Sequence, residues 1–524
     1  MKKFKWIQIL ALMSILMLIM QGCSTGSSSK SEEKADNPTT TGDKSGGKLV
    51  VVRLSDATGL DPHFITDIPS ANVVHGKVYE TLLAFDKDRN FAPLLATEWN
   101  QVDDLTWDFT LREGVKFHDG TPFNAEAVKA TFDRLLDPVT GSPQKDKLGM
   151  ISEVIVKDDT HVTLKLATPY APLLSILASS EGSILSPKMI NETPDQLATH
   201  PVGTGPFVFD SWKSGQEITL NKNNDYWGEK VKVDSVVFKV VPEDATRLAM
   251  IESGEAHISD QVPVTEIERI ENSDKMNLFR TDGLAVEYVG FNTTKAPFDN
   301  VKVRQAISYA IEREAIISGV YNNVGTLANV AMSPQVFGYS KDVKAYPYDV
   351  NKAKSLLKEA GYDKGIKVTL LTSDRKERIN MAEVIQSQLK GIGVDVEIKV
   401  MEYGSYIKEI ESGEHQMFIS GWGNATGDGD YNQYNLFHSA SVGAPGNNFY
   451  YQNPVVDKLI VQARVETDPS KRQEIYKQAM QIEMDDAVYV PIRNYEHLAV
   501  YNNKVENFRL DASNYLILNE VTVK

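Results

Sequence analysis

The densest run of residues able to contact a ligand is Gly421-Trp422-Gly423-Asn424-Ala425-Thr426-Gly427-Asp428-Gly429-Asp430-Tyr431-Asn432. It follows a predicted strand, Gln416 to Ser420. The glycines let the backbone approach a bound molecule closely. Trp422 offers a flat apolar face with one donor. Asn424, Asp428 and Asp430 offer acceptors for amine or amide hydrogens. Asp428, Asp430 and Asn432 match the first half of a calcium loop. The sixth position is then Gln433 instead of glycine and the twelfth is Ser439 instead of glutamate, so calcium is set aside. A ligand loop and a plain turn both remain open at this point.

Other chemistry is sparse. There is no H-E-x-x-H pair, and the one G-x-S-x-G match, Gly22 to Gly26, falls where the apolar leader ends and not on a strand-to-helix elbow. The nine histidines are scattered, and no two have the spacing of a helix-borne metal site. Gly42 to Lys48 matches most of a phosphate loop, but Leu49 stands where Ser or Thr is required and no strand precedes it. A nucleophile assembled from distant residues would leave no such pattern, so a surface hydrolase stays as a contrary reading.

Cys23 is the only cysteine. It ends a leader with three lysines, Lys2, Lys3 and Lys5, and an apolar run from Trp6 to Met20. That order predicts a secretory signal peptide over residues 1–22 with lipidation at Cys23. The run is shorter than the ~20 residues of a membrane span. Met20 and Gln21 depart from the usual residues of a lipoprotein processing site. Two or three acyl chains on Cys23 would anchor the mature chain stably. Residues 23–47 are rich in Ser, Thr, Gly and charge, a flexible tether spanning roughly 25–30 Å as a coil. The expected location is the extracytoplasmic face of the cell membrane, in a host bounded by a single membrane, where an untethered protein would be lost.

The formal charge is −16, or −19 without the three leader lysines. Acidity of this size argues against nucleic acid as a partner, because phosphate binding needs a basic face. The remaining 475 or so residues exceed one hydrophobic core, so two or more lobes are expected.

Periodicity places strands at Lys48–Leu54, Leu105–Leu111, His161–Leu166, Glu217–Leu220 and Ser235–Val241. Helices are predicted at Ala71–Leu83, Ala125–Leu136 and Glu243–Ser253. Ile366–Leu371, Glu377–Lys390 and Val394–Met401 form a strand, helix and strand, hence a parallel βαβ unit. Asp299 and Asp349 are predicted helix caps. Pro454 and Pro469 start two further helices.

Several phrases resemble one family. They are Val78-Tyr79-Glu80-Thr81-Leu82-Leu83, Leu94-Leu95-Ala96 before Trp99, the long block Trp107 to Val128, Val202-Gly203-Thr204-Gly205-Pro206-Phe207 and Asn224-Asp225-Tyr226-Trp227. Phe291-Asn292, Pro297-Phe298 and Val303-Arg304-Gln305-Ala306-Ile307 complete the set. Together they resemble the family 5 extracytoplasmic solute-binding proteins of peptide, glutathione and nickel importers. The resemblance runs from Lys48 to the C-terminus.

It implies an α/β, two-lobed binding-protein fold with an extra domain in the first lobe. Domain I is then built from 48–80, 188–273 and 491–524, domain II from 81–187, and domain III, the second lobe, from 274–490. It implies a monomer without cofactor or enzyme activity, which hands a peptide or glutathione to ABC permease subunits driven by their ATPases. A metal chelate or an oligosaccharide is the alternative cargo. In peptide-binding members an aspartate three residues after the loop tryptophan pairs with the ligand amine. Here that position is Ala425, and the pattern resembles the glutathione branch, with Asp428 or Asp430 expected to take the ammonium. Arg375 is the expected carboxylate partner. His63, Phe64 and Tyr288 are further candidates for ligand contact.

Overall fold

The computed structural model describes residues 46–443 and 446–524. Cys23, the leader and the tether as far as residue 45 lie outside the described residues. No helix among the described residues is long and apolar enough to cross a membrane.

One large mixed sheet organises the chain. Its order is Val394–Met401, Ile366–Ser373, Met417–Gly423, Met276–Phe291, Tyr489–Asn502, Ile258–Ser259, Lys48–Arg53, Ser235–Val240, Glu217–Lys222 and Phe207–Lys213. The two central strands are the long ones, with 16 and 14 residues. They pair antiparallel from Met276↔Asn502 to Gly290↔Tyr489. The register breaks between Asp282 and Val286. On one side of the break Ile258 joins at Tyr501. On the other, Met417–Gly423 joins along Ala285–Phe291. The two long strands thus carry neighbours from both halves of the sheet.

The buried side chains cluster accordingly. One core gathers Leu49–Tyr79, Leu185–Ile258 and Ala499–Val521. A second, from Leu82 to Ile184, covers a four-stranded antiparallel sheet, Ala96–Asp103, Thr106–Leu111, His161–Leu166 and Ile151–Asp158. Two more draw on residues 267–498 and 284–512, the crossing strands included. The predicted βαβ unit is present: Ile366–Ser373 and Val394–Met401 run parallel, joined by the helix Lys376–Lys390. That helix buries Met381, Ala382, Ile385 and Leu389, a stripe at helical spacing.

Local differences have local causes. The helix predicted over Ala71–Leu83 runs instead from Ile68 to Val74. Gly76 adopts φ +66°, and a bridge between His75 and Tyr79 ends the helix before the apolar stripe does. Asn300, one residue after the predicted Asp299, caps Val301–Ala310 by accepting from the Lys302 amide at 3.0 Å. Asp349 caps its helix as expected, accepting from the Lys352 amide at 2.9 Å.

Three of the motif blocks meet at one carboxylate. Glu80, 2% exposed, accepts from Thr204 Oγ1 at 2.7 Å, Tyr226 Oη at 2.6 Å and Trp227 Nε1 at 2.9 Å. The turn through Gly203 and Gly205 lies directly on the Lys77–Val78 backbone. A Cβ on Gly203 would stand 2.0 Å from the Val78 carbonyl oxygen. We expect Gly203→Ala to cost at least about 2 kcal/mol in urea unfolding, because backbone must move to make room. Gly215→Ala, where a Cβ meets nothing within 4 Å and only φ +73° opposes it, should cost about 1 kcal/mol. Equal losses would show that the close approach at Gly203 is not a constraint.

Candidate ligand cleft

Where the lobes face each other, two cavities of 930 and 590 Å³ share Tyr495, His497 and Asn514. They form one cleft on either side of the crossing strands. The larger half is walled on the lobe-two side by Glu287, Arg375, Arg378 and Arg493, and on the lobe-one side by Glu243, Asp244 and Asp260. The smaller half runs beside Gly423, Asn424, Ala425 and Tyr431.

A charged cluster sits at the register break. Glu287, 1% exposed, lies opposite Arg493 in the ladder. It accepts from Arg493 Nε at 3.0 Å, Arg378 Nε at 3.2 Å and Tyr495 Oη at 3.2 Å. Burial opposes the charge on Glu287, but Arg493 and Arg378 outweigh it and hold its pKa below the ordinary value. One carboxylate thus serves two buried arginines. Arg493 spends a further nitrogen on the Val324 carbonyl, at 3.1 Å. Among the described residues Glu287 is the only carboxylate or carbonyl partner of Arg378, which is 7% exposed and lines the cavity. Arg378 also meets the Tyr495 hydroxyl, and the donor capacity it keeps lies at the cavity wall, where a guanidinium takes a carboxylate best with two parallel bonds. Across the cleft, Asp260 Oδ1 and both terminal nitrogens of Arg53 are buried with no hydrogen-bond partner among the described residues, although the two charges attract each other.

The Trp422 loop differs from expectation. Met417–Gly423 is strand as far as Gly423, so Trp422 projects from a paired strand. Its ring packs on Tyr431 at 5.4 Å. Asn424 is consumed within the loop: it donates to the Asp428 carbonyl at 2.7 Å and Asn432 Oδ1 at 2.6 Å, and accepts from the amides of Thr426 and Gly427. Asp428 caps the helix Gly429–Phe437 and holds Arg472 with two bonds, at 2.6 and 2.7 Å. Asp430 holds Arg464 through Nε at 3.0 Å and a terminal nitrogen at 3.1 Å, and accepts from Tyr170 Oη at 3.3 Å. Both aspartates are at most 3% exposed. Neither has the open side that a ligand ammonium needs, so the expected role passes to other groups.

The remaining candidates separate. Arg375 does reach the cleft, at its exposed rim over the Tyr403 ring at 5.4 Å. Tyr288 is 2% exposed in an aromatic cluster with Phe418, Phe449 and Tyr489, which corrects its assignment to the cleft. His63 is fully buried with Nδ1 2.7 Å from Arg134. Burial, then the Arg134 charge, holds its pKa down to about 3, and it too is a packing residue. Phe64, half exposed, packs near Arg134 outside both cavities. Sequence reasoning missed Arg378 and Glu287. Only Arg378 left a signal, lying one helical turn after Arg375.

Two lobes joined by paired crossing strands, with a polar cleft between them, define a solute-binding protein. The family model for bacterial extracellular solute-binding proteins, family 5, matches residues 90–444. The chain belongs to that family. A glutathione-binding protein, GsiB, of Escherichia coli O1:K1 / APEC is 33% identical over 456 residues, covering 85% of this chain and 88% of the relative. The periplasmic binding protein DppA from Helicobacter pylori, solved with the peptide STSA, is 32% identical, with a TM-score of 0.77 over 92% of this chain and 99% of that one. HbpA2 from Haemophilus parasuis has a TM-score of 0.83 at 28% identity, covering 91% and 100%.

Asp428→Asn should act on stability more than on binding. It removes the charge that compensates a buried guanidinium, at a cost of about 3 kcal/mol. Urea unfolding checks this. An affinity loss with unchanged unfolding would instead return Asp428 to the ligand site.

Proposed function

We propose that this chain is the capture subunit of an ABC importer, binding short peptides or glutathione outside the cell and passing them to membrane permease subunits powered by ATPases. It acts as a monomer and carries out no chemistry of its own. Cys23 anchors it by lipid to the outer face of the cell membrane, with residues 24–47 as the tether. The division into domains at 48–80, 81–187, 188–273, 274–490 and 491–524 belongs to the same reading.

The observation that carries it is Arg378: a buried guanidinium fixed through Nε to Glu287 and otherwise turned to the interlobe cavity. Such a group fits a ligand carboxylate, with Arg375 at the rim as a second cation. The names of GsiB and of DppA with its bound peptide support the same cargo.

Purified protein without its leader should gain about 2.7 kcal/mol of stability in thermal shift with a ligand at 100 times its dissociation constant. The panel is dipeptides, longer peptides, glutathione, nickel chelates and oligosaccharides. No shift with any peptide or with glutathione sinks the proposal. Arg378→Gln should weaken a peptide acid by about tenfold or more while changing its C-terminal amide little. Equal weakening of acid and amide removes Arg378 from the carboxylate site. Cys23→Ser should release the processed protein from the membrane fraction, and retention there would place the anchor elsewhere.

A further inference from the structure

The smaller half of the cleft holds a cation of its own. Lys147, from the first lobe, pairs with Glu181 of the same lobe, and both line the cavity beside Asn424 and Ala425. Their side chains are 20% and 6% exposed. Glu181 also accepts from Ser180 Oγ at 3.2 Å. The Lys147 ammonium lies 5.7 Å from the centre of the Tyr431 ring, the ring on which Trp422 packs. It therefore reaches across the gap to the second lobe. Burial opposes both charges, yet each partner holds the other ionised: the Lys147 pKa is raised and that of Glu181 lowered.

The carboxylates around this half are already committed. Asp428 and Asp430 hold Arg472 and Arg464. Only Asp67 and Glu181 line the cavity itself. Asp67 accepts from the Ser70 amide at 2.8 Å, Ser70 Oγ at 2.9 Å and Thr58 Oγ1 at 2.6 Å, and caps the helix Ile68–Val74. Glu181 has its ammonium in Lys147. A lysine ammonium carries three donors. Glu181 takes one and the Tyr431 face attracts the charge, which leaves donor capacity on the cavity side.

We infer that Lys147 fills, from the protein's own chain, the place beside the Trp422 loop where a ligand ammonium would sit. This end of the cleft then receives the ligand through an acceptor, either a carboxylate or the carbonyl of an acylated amine, and does not select for a free α-ammonium. The inference rests on the peptide-binding reading above and sharpens its substrate class. Lys147 is a specificity residue, with Glu181 and Tyr431 positioning it.

Titration calorimetry with pooled di- to pentapeptides and their N-acetylated counterparts tests it. In the parent protein the acetylated pool should bind within about threefold of the free pool, or tighter. Lys147→Met leaves Glu181 unpaired, so the free-amine pool should gain about tenfold or more over the acetylated one. The double variant Lys147→Met/Glu181→Gln removes both charges and should bring the ratio back near one. Should Lys147→Met fail to fold, Lys147→Gln gives the same reading with a neutral donor. A parent protein that prefers free amines by about tenfold overturns the inference, and loss of that preference in Asp67→Asn would name Asp67 as the ammonium partner. A folded, ligand-binding single Lys147→Met variant with an unchanged ratio also overturns it. Failure of every pool to bind the parent overturns the peptide reading itself, and this inference with it.

Discussion

Everything in the cleft is placed by one constraint: two antiparallel strands must stay paired on both sides of a register break. Met276–Phe291 and Tyr489–Asn502 are held by neighbours of the first lobe at one end and of the second lobe at the other. Between Asp282 and Val286 the regular ladder is missing. Backbone without ladder bonds is where rotation costs least, so the break is the physical place for a hinge. Glu287 lies one residue past Val286 and pairs across the ribbon with Arg493. The same carboxylate holds Arg378 from the helix Lys376–Lys390. Hinge, ribbon and cleft wall thus share one buried charge cluster. An anion bound at Arg378 touches the element about which the lobes would turn.

The Trp422 loop contributes rigidity to that arrangement. Asn424 is saturated within the loop, and the buried Arg472 and the partly exposed Arg464 clamp its aspartates. A loop built this way keeps its shape whether or not a ligand is present. Trp422 packs on Tyr431 and the second-lobe core and lines neither cavity, so the loop presents Gly423, Asn424 and Ala425 to the cleft and leaves charge recognition to Arg378 on one side and Lys147 on the other. Rigid placement lowers the ordering cost of binding, which is worth more here than a few extra flexible contacts.

How much of this was legible follows from the range of each interaction. The βαβ unit, the helix from Ala125 to Leu136 and the cap at Asp349 depend on residues within one or two turns, and they stand where periodicity put them. The helix after Ile68 was overdrawn because its apolar stripe continues beyond Gly76, where the backbone turns left-handed. The aspartates were misread for a different reason. Asp428 and Asp430 look available in sequence because their arginines stand 44 and 34 residues downstream, on other helices. Nothing near the loop announces them. Tyr288 fails by strand alternation: Val286 and Tyr288 point into the second-lobe core, while Glu287 between them faces the cleft. Lys147 and Glu181 belong to a different domain from the loop they serve, so no local pattern could join them to it.

The polar contacts between the lobes are of unequal strength, and that bears on what a ligand must do. Domain II reaches the second lobe through the Ala171 amide on the Arg464 carbonyl at 2.9 Å and Tyr170 on Asp430 at 3.3 Å. Lys147 adds the Tyr431 face at 5.7 Å. The amide bond and the phenol bond contribute about 1 kcal/mol each, and the cation over the ring about the same. A ligand with an anionic group for Arg378 and an acceptor for Lys147 would add contacts made only when the lobes face each other. It can shift the balance by no more than that differential affinity. The cleft's two cations, one on each lobe and each already half-satisfied by its own glutamate, are well suited to supply it. Each is kept in its charged form by that glutamate and retains donors that a bridging molecule can use.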